Sequence, residues 1–468
     1  MKRFVKLAAA VLIAALVAFP MFAARGAADF SRFVALGDSY GAGVHSGSLN
    51  ERHQPWSWPA ILAKQLGYKI CPANATAADN CFAVPLVSYP GIGPELVLVN
   101  LSPTISPAST SNGTPLMTTF GRPYNNLAVP GATVGALLTL KGTEAATNTP
   151  TTFGQFILRG LGTQIDQAKL LNASFVAVWI GGNDALGSVL AGTDQGLTST
   201  ADFTTRYGQM LDGLIAQLPN AGMVVGNIPD NVFSLAIANT IPPFIVNPTT
   251  RQPVLGADGK PIYYIADLGG GTLGQLPAGS LVLLTAQTRL ASGFGFPNVP
   301  PFNALPNAGK PLPASDVLTP TETANIVARV QSYNAAIAAA ASARNIPVAD
   351  IKGLFDNVTV NPATGAGGLT VGPIKVTNAF ITGGFFSLDG FHLTDLGYLL
   401  FANQYIKAIN AGYGTQVPLA SITQLFANNG AFFPGTTASG FVFTEQASQQ
   451  ITTMWAATTI KRLRAVHH

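Results

Sequence analysis

Four short apolar runs, separated from one another by helical or loop segments, constrain the fold of this chain most. The runs lie at residues 33–36, 174–180, 223–225 and 347–351. They do not alternate between apolar and polar residues, so each run predicts a strand that is buried on both faces. Such strands, alternating with helices, are typical of a parallel sheet covered by helices on both sides. The sequence therefore predicts a three-layer α/β sandwich with a parallel central sheet.

Helices are predicted between and after these runs. Apolar residues recur at helical spacing over 201–218, and Pro219 ends the pattern. A capping box at Thr319 and Glu322, with a proline at the first helical position, predicts a second helix. Residues 395–410 predict a last helix, which follows the fourth strand.

The remaining segments are rich in Pro, Gly, Ser, Thr and Asn. Residues 45–125 predict mostly loop, and residues 231–317 predict a long insertion. The glycine-rich stretches at 267–279 and 361–373 lack the strand, loop and helix order of a phosphate-binding loop. They are therefore interpreted as surface loops.

The N-terminal segment predicts export. Lys2, Arg3 and Lys6 precede a run of apolar residues at 7–19, and small residues follow up to residue 28. This run is shorter than the roughly 20 residues of a membrane span, so it is typical of a cleaved signal rather than of an anchor helix. We therefore expect a signal at 1–28, a domain at 29–410, and an extension of unknown role at 411–468. The mature protein is expected to be secreted or periplasmic, without a stable membrane span.

The charge of the chain disfavours nucleic-acid binding. The four basic residues within 1–28 account for the whole excess of 25 Lys+Arg over 21 Asp+Glu. The rest of the chain is neutral, and it lacks the basic surface that a polyanion requires. Charged residues make up only 10% of the chain and hydrophobic residues 48%, a composition that excludes a disordered protein.

The cysteines and histidines limit the chemistry further. Cys71 and Cys81, ten residues apart in an exported chain, predict a disulfide. Three histidines, His45, His53 and His392, are candidate general bases once the terminal His467–His468 pair is set aside. The sequence has no H-E-x-x-H motif and no Cys/His zinc pattern, so no metal is expected.

Chemically useful side chains follow the predicted strands. Ser39 comes just after the first strand, and Asn183 just after the second. In parallel sheets ligands bind at the carboxyl ends of the strands, so both residues are expected at the site. Asp389 and His392 lie three residues apart, close enough to share one turn. A serine nucleophile needs such a base and such an orienting carboxylate, which makes Ser39, Asp389 and His392 the candidate catalytic residues.

An oxyanion needs hydrogen-bond donors aimed at it. The backbone N–H groups of Ser39 and Gly131 and the side-chain amide of Asn183 are the candidates. Residues 37–41 also spell G-x-S-x-G, the nucleophile elbow of α/β-hydrolases. In that fold several strands precede the serine, whereas only about ten residues separate Ser39 from the predicted signal, so we exclude it.

Taken together, these blocks resemble the SGNH hydrolases, also called the GDSL lipase/esterase family. The matching blocks are residues 33–40, Asn126 with Gly131, residues 182–184, and Asp389 with His392, in the order of the family. Tyr40 stands where the motif has leucine. The resemblance covers roughly residues 30–410 apart from the insertions. It implies the fold predicted above, Ser39 as nucleophile, His392 as base, Asp389 as its orienting group, and a reaction without a cofactor.

Alternatives exist for several of these residues. His45 is a rival base, although it lacks an acid three residues away. Asp395 is a rival orienting group, but it suits the first turn of a helix capped by Thr394. Asp38 is interpreted as structural. The phenylalanines and prolines of the insertion are predicted either to pack it onto the domain or to form a lid or pocket wall.

The sequence thus predicts an exported serine hydrolase that cleaves a small-molecule or lipid carboxylic ester through an acyl-enzyme on Ser39. Acyl transfer to an alcohol acceptor uses the same residues and stays open. A non-catalytic carbohydrate- or lipid-binding protein on the same scaffold is the alternative from another class, and the intact set of side chains disfavours it. The acyl chain and the alcohol are not defined by the sequence.

Overall fold

The structure is a computed structural model that describes residues 24–26, 28–100, 104–361, 364–372 and 374–429. Most of the predicted signal and the extension beyond residue 429, with His467 and His468, lie outside the described residues. The strands are β1 (Phe33–Gly37), β2 (Leu96–Asn100), β3 (Thr104–Pro107), β4 (Phe175–Trp179), β5 (Gly222–Gly226), β6 (Ile265–Asp267), β7 (Leu273–Gln275), β8 (Leu281–Val282), β9 (Val317–Leu318), β10 (Val348–Ala349), β11 (Leu369–Val371) and β12 (Ile374–Val376). The helices are α1 (Ser39–Ala42), α2 (Trp58–Gln65), α3 (Val134–Thr139), α4 (Thr149–Ile157), α5 (Gln164–Leu170), α6 (Asn183–Leu190), α7 (Thr200–Gln217), α8 (Ala236–Asn239), α9 (Gln287–Ala291), α10 (Pro320–Ser342), α11 (Ile351–Val358), α12 (Asp395–Tyr413) and α13 (Ile422–Asn429).

The central sheet is parallel, as predicted. Its strand order is β1-β4-β5-β10, and each neighbouring pair is parallel. An extended segment at residues 125–129 lies along the other edge of β1, where Ala35 N donates to Asn125 O and Leu127 N donates to Ala35 O, both at 2.9 Å. The chain thus winds outward in both directions from β1, and the reversal falls between β1 and β4. Ligands of doubly wound sheets bind at this reversal point.

Alternate residues of each strand face two separate cores, which confirms the three-layer sandwich. Phe33 and Ala35 face a core shared with α2, α11 and α12. Val34 and Leu36 face the other, shared with α3, α5, α7 and α10. All four side chains are fully buried, as a strand covered on both faces requires.

The two long predicted helices are confirmed by α7 and α10. The capping box of α10 forms as expected: Thr319 Oγ1 accepts from Glu322 N at 3.3 Å, and Glu322 Oε2 accepts from Thr319 N at 2.8 Å. The last predicted helix is α12, and Thr394 Oγ1 caps it by accepting from Gly397 N at 3.0 Å. These helices are anchored by local hydrogen bonds that their sequences specify.

Of the remaining predictions of local structure, only the length of the fourth strand was wrong. The described part of residues 45–125 is mostly loop, as predicted, and also contains α2 and the β2–β3 hairpin. The fourth run pairs only through Val348–Ala349, because the Asp350 carboxylate caps α11 by accepting from Gly353 N at 2.9 Å and ends the strand. The stretch at 267–279 contains β7 and the stretch at 361–373 contains β11, each one strand of a short antiparallel pair, and most of their other described residues form turns and loops, as predicted.

The 231–317 insertion has a small core of its own. Ile245, Tyr264, Leu276 and Leu312 are buried in it. Its partly buried aromatic residues pack against this core and include Phe294, Phe296 and Phe302. The aromatic content of the insertion is therefore used largely for internal packing.

A disulfide bond lies in the segment between α2 and β2. Cys71 and Cys81 form a disulfide with an S–S distance of 2.01 Å, and both lie against the core that includes α2.

In the part of the chain that the structure describes, no helix combines the length and apolar character needed to cross a membrane.

Candidate active site

Ser39 begins α1 immediately after β1, at the carboxyl edge of the sheet. The turn is tight, because a Cβ at Gly37 would lie 2.3 Å from the Trp179 carbonyl oxygen of the neighbouring strand. The Asp38 carboxylate caps the helix by accepting from Tyr40 N at 3.1 Å. Burial, together with the nearby charge of Asp184, raises the pKa of Asp38 well above its ordinary value. The structural role expected for Asp38 agrees with this cap.

Asp389 and His392 are joined by a short hydrogen bond. Asp389 Oδ2 lies 2.7 Å from His392 Nδ1, and Asp389 Oδ1 accepts from the backbone N–H groups of Phe391 at 3.1 Å and His392 at 2.8 Å. Burial alone raises the pKa of Asp389, but the charge of His392 and these hydrogen bonds outweigh it and lower the pKa to about 2. An ionised carboxylate only accepts, so His392 Nδ1 carries the proton.

The other ring nitrogen of His392 is available for proton transfer. His392 Nε2 is buried and makes no hydrogen bond with any described residue. With Nδ1 protonated, Nε2 is the basic nitrogen. In free enzymes the serine–histidine hydrogen bond is often long and shortens only when substrate binds.

Two of the three predicted oxyanion donors, Gly131 and Asn183, lie on segments that are joined by a hydrogen bond. Asn183 begins α6, and its Nδ2 donates to Ala132 O at 3.0 Å, which orients the amide toward the segment that holds Gly131. Gly131 has a φ of +79°, a left-handed conformation that glycine adopts without strain. The buried Asp184 carboxylate accepts from Val134 N at 3.0 Å and Thr198 Oγ1 at 2.9 Å, and burial raises its pKa.

Asn126, the other residue of the second sequence block, links this segment to the serine turn. Its Nδ2 donates to Gly41 O at 2.8 Å, and the residue is fully buried. The four blocks that are far apart in the sequence are therefore connected by hydrogen bonds at one edge of the sheet.

An open cleft lies beside Ser39. Its walls are mostly apolar and come from β4, α6, α10, α11 and the segment after β5. They include Trp179, Leu186, Val189, Ile228, Ile326, Val330 and Phe355. The insertion contributes its first residues, Asn231, Val232 and Leu235. The root of the insertion thus forms one wall, while Phe294, Phe296 and Phe302 stay in the insertion's own core.

Tyr40 has a role that the sequence did not indicate. Its ring stacks on Trp179 with the ring centroids 4.7 Å apart, and its hydroxyl donates to the Phe391 carbonyl oxygen. Because Phe391 precedes His392, this bond tethers the serine turn to the histidine segment. The sequence showed only that tyrosine replaces the leucine of the motif.

The two rival residues are engaged elsewhere. Asp395 Oδ1 lies 3.0 Å from His53 Nδ1, so Asp395 pairs with a different histidine from the one that Asp389 holds. His45 stacks on His53 with ring centroids 3.7 Å apart. Among the described residues, His45, His53 and Asp395 form a group whose possible metal-ligand atoms lie within 4.8 Å of one another.

The fold and these side chains define an α/β protein with a Ser, His and Asp arrangement at the reversal point of a parallel sheet. The family model of the GDSL-like lipases/acylhydrolases matches residues 33–405. The chain therefore belongs to the GDSL-like lipase/acylhydrolase family, a family of ester hydrolases, as the sequence blocks had indicated. None of the curated proteins compared with the chain matches it significantly.

Several solved structures are similar to this chain. The extracellular lipase of Streptomyces rimosus is 16% identical, with 81% of this chain and 98% of the lipase covered and a TM-score of 0.33. Phospholipase A1 of Streptomyces albidoflavus is 17% identical, with coverages of 83% and 100% and a TM-score of 0.30. A family 3 carbohydrate esterase of Clostridium thermocellum is 12% identical, with coverages of 81% and 94% and a TM-score of 0.30.

The Tyr40 tether predicts a selective loss of activity. Tyr40→Phe keeps the stacked ring but removes the bond to the Phe391 carbonyl, so unfolding free energy should fall by about 0.5–1.5 kcal/mol. Turnover of a p-nitrophenyl ester should fall about 3- to 10-fold, because the serine and histidine segments are no longer held together.

Tyr405→Phe is the matched control for this variant. The Tyr405 hydroxyl is also buried and donates to a backbone carbonyl, Val178 O at 2.7 Å. It should cost similar stability and leave turnover within about 2-fold of the wild type. Equal effects of the two variants on turnover would show that the Tyr40 hydroxyl does not position the site.

Proposed function

We propose that this protein hydrolyses carboxylic esters through an acyl-enzyme on Ser39. The observation that carries the proposal is the His392–Asp389 pair, which presents a basic Nε2 at the same sheet edge as the Ser39 turn. The Ser39 N–H, the Gly131 N–H and the Asn183 amide are proposed as the oxyanion donors. Membership of an ester hydrolase family supports the reaction class.

The proposed chemistry proceeds in two halves. Ser39 Oγ attacks the ester carbonyl carbon while its proton moves to His392 Nε2, and the negative carbonyl oxygen is bound by the three donors. His392 then gives that proton to the leaving alkoxide, which departs as the alcohol. A water molecule repeats these steps on the acyl-enzyme and releases the acid. Asp389 holds the ring and stabilises its charged form throughout.

Replacement of the nucleophile tests the proposal. Ser39→Ala and His392→Ala should each lower turnover of p-nitrophenyl esters by several orders of magnitude, about 10³–10⁶-fold, without loss of the thermal transition. Asp389→Asn should be less damaging than His392→Ala. Turnover like that of the wild type in Ser39→Ala would rule out the proposal.

The oxyanion role of Asn183 has its own test. Asn183→Ala should lower kcat by about 10²–10³-fold, the usual loss for one donor, and leave KM nearly unchanged. Asn183→Asp is the companion variant, because it keeps the size of the side chain but cannot donate to the oxyanion or to Ala132 O, and it should lower kcat at least as much as Asn183→Ala. An effect on KM alone would move Asn183 from the oxyanion to substrate binding.

The cleft suggests which part of the substrate binds where. Its lining includes Ser39 together with apolar side chains of α6 and α10, so we propose that it holds the acyl chain of an aliphatic ester. Hydrophobic pockets distinguish chains by the methylene groups they bury, which makes chain length the property this cleft can select. Acyl transfer to a competing alcohol uses the same residues and is separated from hydrolysis by product analysis.

A larger side chain on α10 should reduce the space in the cleft that is available to the acyl chain. Val330→Phe should lower kcat/KM for p-nitrophenyl decanoate by about 10-fold or more, while that for the acetate stays within about 3-fold. Gln331→Phe is the control, because Gln331 is exposed on the same helix. A uniform loss across the acetate-to-decanoate series would show that the acyl chain does not enter the cleft.

We also propose that the protein is exported and oxidised. The basic and apolar N-terminal segment supports a cleaved signal, and the Cys71–Cys81 disulfide suits an oxidising compartment. The intact mass of the secreted or periplasmic protein should lack a segment ending near residue 28 and the two thiol hydrogens. A full-length mass, or two thiols titrated in the unreduced, denatured protein, would contradict this proposal.

A further inference from the structure

A second buried group of ionisable side chains lies next to the candidate site. It comprises His45, His53, Glu95 and Asp395, which we call the buried ion cluster. Each of these residues is at most 2% exposed. His53 Nδ1 lies 3.0 Å from Asp395 Oδ1, and His53 Nε2 lies 3.0 Å from Glu95 Oε1. The residues come from three separate parts of the chain, so the cluster joins them.

His53 carries a positive charge in this arrangement. Both of its ring nitrogens face a carboxylate oxygen, and ionised carboxylates only accept hydrogen bonds, so both nitrogens must donate. Burial alone lowers the pKa of His53, but the charges of Asp395 and Glu95 outweigh it and raise the pKa to about 10. Burial alone raises the pKa of Glu95, and the charge of His53 with hydrogen bonds from His45 and His53 holds it well below its ordinary value.

The cluster does not have the geometry of a metal centre. The His45 and His53 rings are stacked with an angle of 7° between their planes. A ring nitrogen binds a metal along its lone pair, which lies in the plane of the ring, and two parallel planes share no point that an ion can occupy. Instead, the His45 ring covers the charged His53 ring, and its Nδ1 lies 3.3 Å from Glu95 Oε1.

The cluster is connected to the triad acid through a short turn at residues 45–48, which we call the His45 turn. His45 N donates to Ser48 O at 2.8 Å, and Ser48 N donates to His45 O at 2.9 Å, so the turn is closed on itself. At its tip Gly47 N donates to Asp389 Oδ2 at 2.6 Å. This is the same oxygen that accepts from His392 Nδ1.

Further contacts join the His45 turn to the segment around Asp389. Ser46 N donates to Ser387 Oγ at 2.8 Å, and Leu388 N donates to Ser46 Oγ at 3.2 Å. At the other end of this segment, Asp395 is held by His53. The buried ion cluster therefore fixes both the His45 turn and the start of α12, and Asp389 and His392 lie between these two anchors.

We propose that the buried ion cluster is a positioning device for the triad, which acts by holding Gly47 N against the Asp389 carboxylate. The inference rests on the proposed function, since it requires that Asp389 and His392 act as the orienting carboxylate and the general base. It assigns no substrate contact to the cluster. His45, His53, Glu95 and Asp395 are thus positioning residues, and Gly47 supplies the backbone donor through which they act. Loss of charge in the cluster releases the His45 turn, and Asp389 then orients His392 less well.

A double-mutant cycle tests this coupling. Glu95→Gln keeps the shape of the side chain and removes its charge. In the wild-type background it should lower kcat about 10-fold, with KM within about 2-fold, because positions coupled to a site typically change its energetics by that order. In the Asp389→Ala background the same change should lower kcat by less than about 2-fold, because the group through which it acts is absent.

Two further variants keep the cycle interpretable. Asp395→Asn should give the same non-additive pattern and replaces Glu95→Gln if that variant folds poorly. Asp316→Asn is the control, because Asp316 is a buried carboxylate that pairs with Arg289 at 2.7 Å inside the insertion. It should lower the melting temperature and leave kcat unchanged.

The outcomes separate this inference from the proposed function. Equal fold losses of kcat in the two backgrounds, or an equal loss in Asp316→Asn, would show that the cluster only stabilises the fold and would overturn the inference. One equivalent of zinc bound to the purified chain and lost on Glu95→Gln or Asp395→Asn would overturn it as well. If Ser39→Ala keeps its activity, the proposed function itself fails.

Discussion

The carboxylate of Asp389 is the interaction on which the candidate site depends. A buried charge is costly unless hydrogen bonds satisfy it, and this one accepts from His392 Nδ1, from Gly47 N and from two backbone N–H groups of its own turn. These donors come from both ends of the described chain. The carboxylate thus orients the histidine and at the same time holds the loop after α1 against the segment before α12.

The parallel sheet explains why so few residues suffice to build the site. β1 and β4 are neighbours at the reversal point of the winding, so Ser39 and Asn183 leave the sheet side by side. The segment at 125–129 pairs with the other edge of β1 and brings Gly131 to the same end. Only the Asp389–His392 turn arrives from outside the sheet, and Tyr40 and the His45 turn hold it in place.

The parts of the fold that could be predicted are those with a local signal. The strands at 33–36 and 174–180 are unbroken apolar runs, and α10 begins with a capping box. The helices α4 and α5 also begin with capping boxes, Asn148 with Thr151 and Thr163 with Asp166, although these two helices were not predicted from the sequence. By contrast, the N-cap residue of α6 is Gly182, which has no side chain to cap the helix, so the sequence carries no local signal for its start.

The candidate site likewise contains residues that have a sequence signal and contacts that have none. Its Ser, Gly, Asn, Asp and His residues were found because they lie in blocks whose order follows the predicted strands. The pairing of His53 with Asp395 joins residues 342 positions apart and has no sequence signal, so it became visible only in the structure. For the aromatic residues of the insertion the sequence left two alternatives open, because composition alone does not separate residues that pack a loop from residues that line a cleft.

The most direct measurement of the central claim is the crystal structure of the protein after reaction with a long-chain p-nitrophenyl alkylphosphonate. The account predicts a phosphorus atom bonded to Ser39 Oγ, with its oxygen within hydrogen-bond distance of Ser39 N, Gly131 N and Asn183 Nδ2. The alkyl chain should lie along Val330 and Ile326 in the cleft. A phosphonate attached to another residue, or an oxygen that contacts none of the three donors, would contradict the account.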